Sequence, residues 1–207
     1  ESPYSRTVEY ATLDQINRED VVKFYQQYYY PNNMILGIVG DFNPKQMRSL
    51  IQEKFGDWKS NPNISKTQLL QVSSANLGGV FFVNQPQLTQ SNILIGHLGG
   101  TFDNPDYAAL SVMNGVLNGF GGRLFNEVRS RQGLAYSVYG VWSPRFDYPG
   151  MFISGGQTRS DATVQFVKAL KTEIQRIQNQ RVTAKELNYA KESTLNSFVF
   201  NFQDPSQ

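Results

Sequence analysis

The stretch Phe125-Asn-Glu-Val-Arg-Ser-Arg-Gln-Gly-Leu-Ala-Tyr136 contains the end of a helix and the beginning of a strand. Its glycine, Gly133, permits the sharp exit with which a helix commonly ends. We predict a helix over 123–132, followed by antiparallel strands over 134–142 and 151–155 that a proline-containing loop joins. This order of a helix followed by hairpin strands is typical of an α+β fold.

Further helices and short strands flank this stretch on both sides. Capping residues and helical spacing predict five more helices. They begin at the cap Asn17, at the cap Asn43, near Pro105, at the cap Ser160 (apolar stripe Val164, Val167, Leu170, Ile174 and Ile177), and at the capping box Thr183–Glu186. Short apolar runs predict strands at 34–39, 80–83 and 93–95. The sequence therefore predicts an α+β fold with an antiparallel or mixed sheet packed with helices.

Composition excludes several classes of function. The 207 residues include 19 basic and 17 acidic side chains, which is too balanced for a chain built to neutralise nucleic-acid phosphates. No apolar run approaches the roughly 18 residues that cross a membrane, so we expect no transmembrane segment. The chain has no cysteine and one histidine, His97, which we expect to be structural because a zinc site needs companion ligands.

Two motifs could carry chemistry. The glycine-rich run 119–122 lacks the Gly-Lys-Ser/Thr ending of a phosphate-binding loop, so we interpret it as a flexible connection between two helices. Arg129 and Tyr136 lie seven positions apart across the helix–strand junction, where a guanidinium and a phenol could meet as two strong donors. They could hold a carbonyl and stabilise an oxyanion. Spacing alone favours the simpler alternative of a surface arginine beside a core tyrosine.

An ordered set of short motifs resembles the insulinase/pitrilysin family of zinc peptidases, in particular subunits of the bacterial and mitochondrial processing-peptidase type. The motifs are Tyr28-Tyr-Tyr-Pro-Asn-Asn-Met34, Gly40-Asp-Phe42, Phe55-Gly-Asp-Trp58, Gln90-Ser-Asn-Ile93, Gly122-Arg-Leu-Phe125, Val128-Arg129, Gly133-Leu-Ala-Tyr136, Val182-Thr-Ala-Lys-Glu-Leu187 and Ala190-Lys191. Each motif is weak alone, but the set follows the family's order over residues 2–200.

The resemblance implies a domain organisation. In this family each half consists of two related α+β domains of metallohydrolase-like fold, and two halves close into a chamber. It implies that residues 1–57 are the tail of a first domain, 58–77 a linker, and 78–207 a second domain truncated at its C-terminus. The family's His-x-x-Glu-His zinc motif does not occur here, which identifies the chain with the non-zinc, inactive part.

The resemblance also implies a function. Arg129 and Tyr136 match a pair in the opposite half of the chamber that holds the substrate's backbone carbonyl. We therefore expect a substrate-gripping domain of a zinc-dependent peptidase that cleaves peptides, inactive in isolation. Zinc would come from a companion domain or subunit of the same family in a homo- or heterodimer. The alternative is a non-catalytic structural or assembly module of a larger complex. We expect a bacterial cell-envelope or periplasmic location rather than a cytoplasmic one.

Overall fold

The structure, a computed structural model, describes residues 6–64 and 78–204. They divide into two compact units, one of residues 6–64 with 203–204 and one of residues 78–202. Residues 65–77, most of the predicted linker, lie outside the described residues, so the predicted domain boundaries stay predictions. None of the helices in the described ranges combines the length and the apolar character needed to cross a bilayer.

The first unit contains three helices, α1 (Tyr10–Leu13), α2 (Arg18–Tyr28) and α3 (Pro44–Phe55). The predicted caps of α2 and α3 are confirmed. The side chain of Asn17 accepts from two amides of α2 and the Asp20 carboxylate accepts from the Asn17 amide, which completes a capping box. The side chain of Asn43 accepts in the same way from the first amides of α3. In both helices, the residue directly before the first helical position therefore defines where the helix begins.

The Pro-Asn-Asn run after α2 forms a short 3₁₀ turn, Pro31–Asn33. The side-chain amide of Asn32 donates to the carbonyl of Asn61 at 2.8 Å, and its oxygen accepts from the Asn61 amide at 3.1 Å. The side chain of Asn33 donates to the carbonyl of Tyr28 at 2.9 Å. The two bonds between Asn32 and Asn61 join the turn to a part of the same unit that lies 29 residues later in the chain.

The strands predicted at 34–39 and 80–83 were wrong. Neither segment has regular secondary structure, and both are exposed, with Ile35 at 101% and Val80 at 96% of full residue exposure. A strand is stabilised by pairing with its neighbour. No described strand pairs with either segment, so their high β propensity is not sufficient to form a strand.

The second unit contains a three-stranded antiparallel sheet in the order β1 (Gln90–Leu98), β3 (Met151–Arg159), β2 (Ala135–Ser143). The predicted strands at 93–95, 134–142 and 151–155 are confirmed, and the last is four residues longer than predicted. Together with the helices, the sheet confirms the predicted α+β fold. Leu94 of β1, Gly155 of β3 and Tyr139 of β2 lie side by side in the register.

Helices cover one face of this sheet. They are α4 (Tyr107–Leu117), a π-helix (Phe125–Arg131), α5 (Thr163–Asn179) and α6 (Ala184–Phe198). The first three contact the sheet, and α6 packs on α4. The core between these elements contains fully buried side chains from α4, from the π-helix and its first turn, and from α5. The largest are Phe166, Leu117, Leu124, Leu170 and Val128. Apolar residues of the opposite sheet face, such as Leu94, are exposed.

The details of α5 differ from the prediction. Ser160 does not cap the helix, because Ser160–Ala162 forms a separate 3₁₀ turn and α5 begins at Thr163 without a side-chain cap. The predicted apolar stripe included Val164, which is exposed, and missed Phe166, which is fully buried. Phe166 lies four positions before Leu170 and therefore on the same face of α5, which packs on the core. By contrast, the predicted capping box of α6 is confirmed, with the Glu186 carboxylate accepting from the Thr183 amide at 2.7 Å.

Candidate functional site

The π-helix positions Arg129 between a buried and an exposed side. Leu124, just before it, and Val128 within it are fully buried in the core, whereas Arg129 is only partly covered. The carbonyl of Arg129 accepts from the amide of Gly133 at 3.0 Å. Gly133 has a positive φ of 59°, which glycine adopts without strain, and the chain then turns directly into β2. π-Helical turns are often found at functional sites.

Tyr136 lies in a β-bulge at the start of β2. Ala135 pairs with Thr158 and Val138 with Gly156, so β2 has one residue more than β3 between these two pairs. A bulge of this kind bends the strand and changes the direction of the side chains within it. The side chain of Tyr136 is 82% exposed. The alternative of a core tyrosine is therefore wrong for this position.

The structure brings the two predicted side chains into contact. The Arg129 Cζ atom lies 4.5 Å from the centre of the Tyr136 ring and 4.8 Å from the centre of the Phe125 ring. Both distances are within the range of a cation–π interaction. Sequence spacing indicated that Arg129 and Tyr136 could meet, but it did not indicate the contact with Phe125, which lies one helical turn before Arg129.

The hydrogen-bond donors of the Arg129 side chain have no partner within residues 6–64 and 78–204. Other arginines of the second unit are ion-paired. Arg123 pairs with Glu186, Arg131 with Glu127, and Arg176 with Glu173. The Arg129 guanidinium is thus oriented by two aromatic rings, while its N–H groups bind no acceptor among the described residues.

A buried ion pair lies at the first helical residue before the π-helix. Arg123 is 5% exposed, and its Nε and Nη2 atoms donate to the two Glu186 carboxylate oxygens at 2.6 and 3.1 Å. The hydrogen bonds from Arg123 lower the pKa of Glu186 to about 2, against the opposing effect of burial and with help from the bonds to Thr183. The Nη1 atom of Arg123 is buried without a hydrogen-bond partner among the described residues.

A second group of charges joins the π-helix to α5. Glu127 pairs with Arg131 of the same helix and lies 4.0 Å from Arg176 of α5. Arg176 also donates to Glu173 at 3.3 Å. Burial raises the pKa of Glu173, and the neighbouring Arg176 offsets part of this effect. This burial reflects the position of Glu173 on the core side of α5, where the residue is only 5% exposed.

The glycine-rich run 119–122 forms a hydrogen-bonded turn rather than a free connection. The amide of Gly121 donates to the Tyr189 hydroxyl of α6 at 3.2 Å, and the Asn126 side chain donates to the Gly121 carbonyl at 3.2 Å. A Cβ atom at Gly121 would lie 2.7 Å from the Tyr189 ring. A larger residue at this position would therefore require the Tyr189 ring to move.

The described residues do not fit a zinc site. Residues 6–64 and 78–204 contain no group of three or more His, Cys, Asp or Glu side chains that could hold a metal ion. His97 is exposed at the sheet edge, where its ring stacks on Phe152 at 5.5 Å and its Nδ1 atom lies 2.7 Å from the Leu98 carbonyl. The described residues therefore supply no set of ligands for a zinc ion.

The local sequence pattern predicts Glu186 as a capping residue but not its ion pair with Arg123. The two residues are 63 positions apart, and no local pattern indicates which distant side chain a buried arginine will meet. The sequence does indicate that Arg123 needs a partner. Arg123 stands at the start of a helical segment whose apolar residues include Leu124, Phe125 and Val128, and a charge buried beside such residues must be paired.

Comparison with known sequences gives one family. The family model of the peptidase M16 inactive domain matches residues 15–194. The chain is 23% identical over 193 residues to the uncharacterized zinc protease YmxG of Bacillus subtilis, which covers 93% of this chain and 46% of that protein. It is 27% identical over 183 residues to an uncharacterized zinc protease of Rickettsia bellii, with 87% and 42% covered. It is also 29% identical over 145 residues to the probable inactive metalloprotease YmfF of Bacillus subtilis, with 65% and 32% covered.

Solved structures agree with this match. A peptidase M16 inactive domain from Pseudomonas fluorescens superimposes with a TM-score of 0.76 at 26% identity, over 95% of this chain and 48% of that chain. A protease from Helicobacter pylori has the same fold, with a TM-score of 0.78 at 19% identity and coverage of 95% and 48%. The chain thus spans less than half the length of the curated relatives and of the solved structures it matches.

Proposed function

The chain belongs to the peptidase M16 inactive domain family, a part of zinc-protease-like proteins, and from this membership we propose that it is the substrate-holding domain of a zinc-dependent peptidase. In this role Arg129 and Tyr136 bind a backbone carbonyl of a peptide substrate when the chain closes on a companion domain. The companion supplies the zinc, since the described residues do not fit it. The isolated chain is inactive under this proposal.

One observation carries the proposal: Arg129 is oriented by two aromatic rings but has no hydrogen-bond acceptor among the described residues. A guanidinium presents five N–H donors in a planar arrangement, and these bind a carbonyl oxygen and stabilise it further as negative charge develops. The exposed Tyr136 adds a hydroxyl donor next to it. Both residues act by binding and electrostatic stabilisation, not as a nucleophile or a base.

The proposed partner supplies the zinc ligands, because this sequence has one histidine and no His-x-x-Glu-His motif. Its relatives named as zinc proteases are more than twice as long as the matched region, which leaves room for a zinc-binding domain in the same polypeptide. A separate subunit of the same family is the other arrangement, in a homo- or heterodimer. The bacterial cell envelope stays the predicted location.

Substitution of Arg129 and Tyr136 in the assembled peptidase tests the proposal. We expect Arg129→Ala and Tyr136→Phe each to lower kcat/KM for a fluorogenic peptide by roughly 10²-fold or more, the usual scale for loss of an oxyanion donor. Arg181→Ala is the matched control, because Arg181 is exposed and forms no ion pair within the described ranges. Unchanged kcat/KM in both site variants would remove the pair from the mechanism.

A non-catalytic assembly module is the second candidate function. The likeness to the probable inactive metalloprotease YmfF favours it, because that relative is named as lacking activity. In this case Arg129 and Tyr136 contribute only to packing. The two candidates are separated by the same variants, since a packing role predicts that Arg129→Ala changes the free energy of unfolding and leaves any peptidase activity of the complex unaltered.

A further inference from the structure

The helical segment that carries Arg129 begins at the buried Arg123–Glu186 ion pair. Arg123 is the first helical residue of this segment, six positions before Arg129, and Glu186 belongs to the first turn of α6. The two hydrogen bonds of 2.6 and 3.1 Å use both carboxylate oxygens. This bidentate arrangement fixes orientation as well as distance.

A second contact joins the same elements. The amide of Gly121 donates to the hydroxyl of Tyr189, one turn further along α6 than Glu186, and a Cβ atom at Gly121 would lie only 2.7 Å from the Tyr189 ring. The side chain of Asn126 then donates to the Gly121 carbonyl. The turn before the segment and the first residue of the segment are therefore both attached to α6.

Apolar packing alone does not determine the orientation of this segment. Leu124 and Val128 are fully buried and fix the depth at which it lies on the core. Burial of apolar surface is non-directional, however, and a helix of fewer than about ten residues is marginal by its own backbone bonds. A large rotation about the helix axis would expose Leu124 and Val128, but apolar contacts restrain a small rotation, which already moves the Arg129 guanidinium, less sharply than hydrogen bonds of fixed geometry do. Directional bonds at the start of the segment oppose this rotation.

We infer that Glu186 is a positioning residue for Arg129, which acts through Arg123 by fixing the orientation of residues 123–131 on the core. The inference rests on the proposed function for the part that concerns activity. Glu186 does not touch the substrate. It sets the direction in which the Arg129 N–H groups point, and Tyr189 supports it through Gly121.

Hydrogen exchange on the 207-residue chain tests the structural part without any assay of activity. We expect Glu186→Gln to lower the amide protection of residues 123–131 at least tenfold while that of the α5 core around Leu170 is maintained. Glu192→Gln, an exposed carboxylate of α6, is the matched control. Thr183→Ala removes the cap and leaves the ion pair. An equal loss of protection in Thr183→Ala, or an equal loss in the α5 core, would overturn the inference.

A second variant covers the case in which Glu186→Gln does not fold. Arg123→Lys retains the charge but cannot make two parallel hydrogen bonds to one carboxylate. We expect the same local loss of protection over residues 123–131 in this variant. Full protection of those amides in Arg123→Lys would show that orientation does not depend on the bidentate geometry.

A double-mutant cycle in the assembled peptidase tests the functional part. We expect Glu186→Gln to lower kcat/KM about tenfold in the wild-type background and to have no further effect in the Arg129→Ala background, since it acts through Arg129. The same tenfold loss in both backgrounds would identify Glu186 as merely structural. If Arg129→Ala itself has no effect, the proposed function fails, and the exchange experiment still decides whether Glu186 orients the segment.

Discussion

The two units of this chain form helices in the same way and bury them very differently. In the first unit, α2 and α3 have side-chain caps and the lengths expected, yet none of residues 6–64 is buried. In the second unit, α5 has no side-chain cap but buries Phe166 and Leu170 completely. Caps therefore determine where a helix begins, whereas contact with a sheet determines how much apolar surface leaves the water.

We expect the largest difference in the free energy of unfolding between alanine variants of one phenylalanine from each unit. Phe166→Ala removes a fully buried ring and should lower the free energy of unfolding by about 3–5 kcal/mol. Phe24→Ala is the matched change in α2, where the ring is 57% exposed, and should cost less than about 1 kcal/mol. Urea denaturation of the two variants measures both values. Equal losses would show that the first unit has as much of a core as the second.

The Arg123–Glu186 ion pair gives the second unit a dependence on acid. Because the folded pKa of Glu186 is about 2, below its ordinary 4.5, its contribution to stability is complete above pH 4.5 and is lost as the pH falls towards 2. The difference in pKa corresponds to at most about 3 kcal/mol, which partial solvent access reduces to roughly 2 kcal/mol.

Urea denaturation between pH 7 and pH 2 measures this contribution as the difference between the wild-type chain and Glu186→Gln. We expect the difference to disappear in acid. Asp20→Asn, which changes the capping box of α2 in the first unit, is the matched control and should cost under about 1 kcal/mol. A constant difference between wild type and Glu186→Gln over the whole range would contradict the linkage.

We expect the smallest effects on stability when the capping side chain of one helix in each unit is removed. Asn17→Ala and Thr183→Ala each remove a side chain that accepts from the first turn of a helix, which typically costs about 1 kcal/mol. We expect Thr183→Ala to lower the denaturation midpoint of the second unit, because α6 packs on α4 of the core. We expect Asn17→Ala to lower helix content in circular dichroism with no change in that midpoint. A shift of the same midpoint by Asn17→Ala would contradict this separation.

Much of the fold could be predicted from the sequence because its signals are local. The capping side chains Asn17, Asn43 and Thr183 act within three residues of themselves, and the alternation and turn residues that define β2 and β3 lie within one hairpin. The segments 34–39 and 80–83 have equally strong local signals but no described partner strand. A strand requires a neighbour, and its sequence does not say whether that neighbour is present.

The candidate site shows the same limit. The contact between Arg129 and Tyr136 could be predicted because the tight turn at Gly133 joins the helical segment directly to the strand that follows it. The predicted stripe of α5 missed Phe166, although Phe166 lies four positions before Leu170 and therefore on the same helix face. The ion pair of Arg123 joins residues from distant parts of the chain, so its partner depends on the packing of α6 and could not be inferred.

The exposed segments 34–39 and 80–83 have a practical consequence for the chain in solution. They consist of uncharged aliphatic and aromatic residues, interrupted by a single glycine, Gly37. Unpaired backbone groups in apolar segments are templates for another molecule, and short runs of this composition are typical of cross-β fibrils. Self-association of the purified chain should therefore rise with concentration and begin at these segments, which makes them the first places for a solubilising lysine.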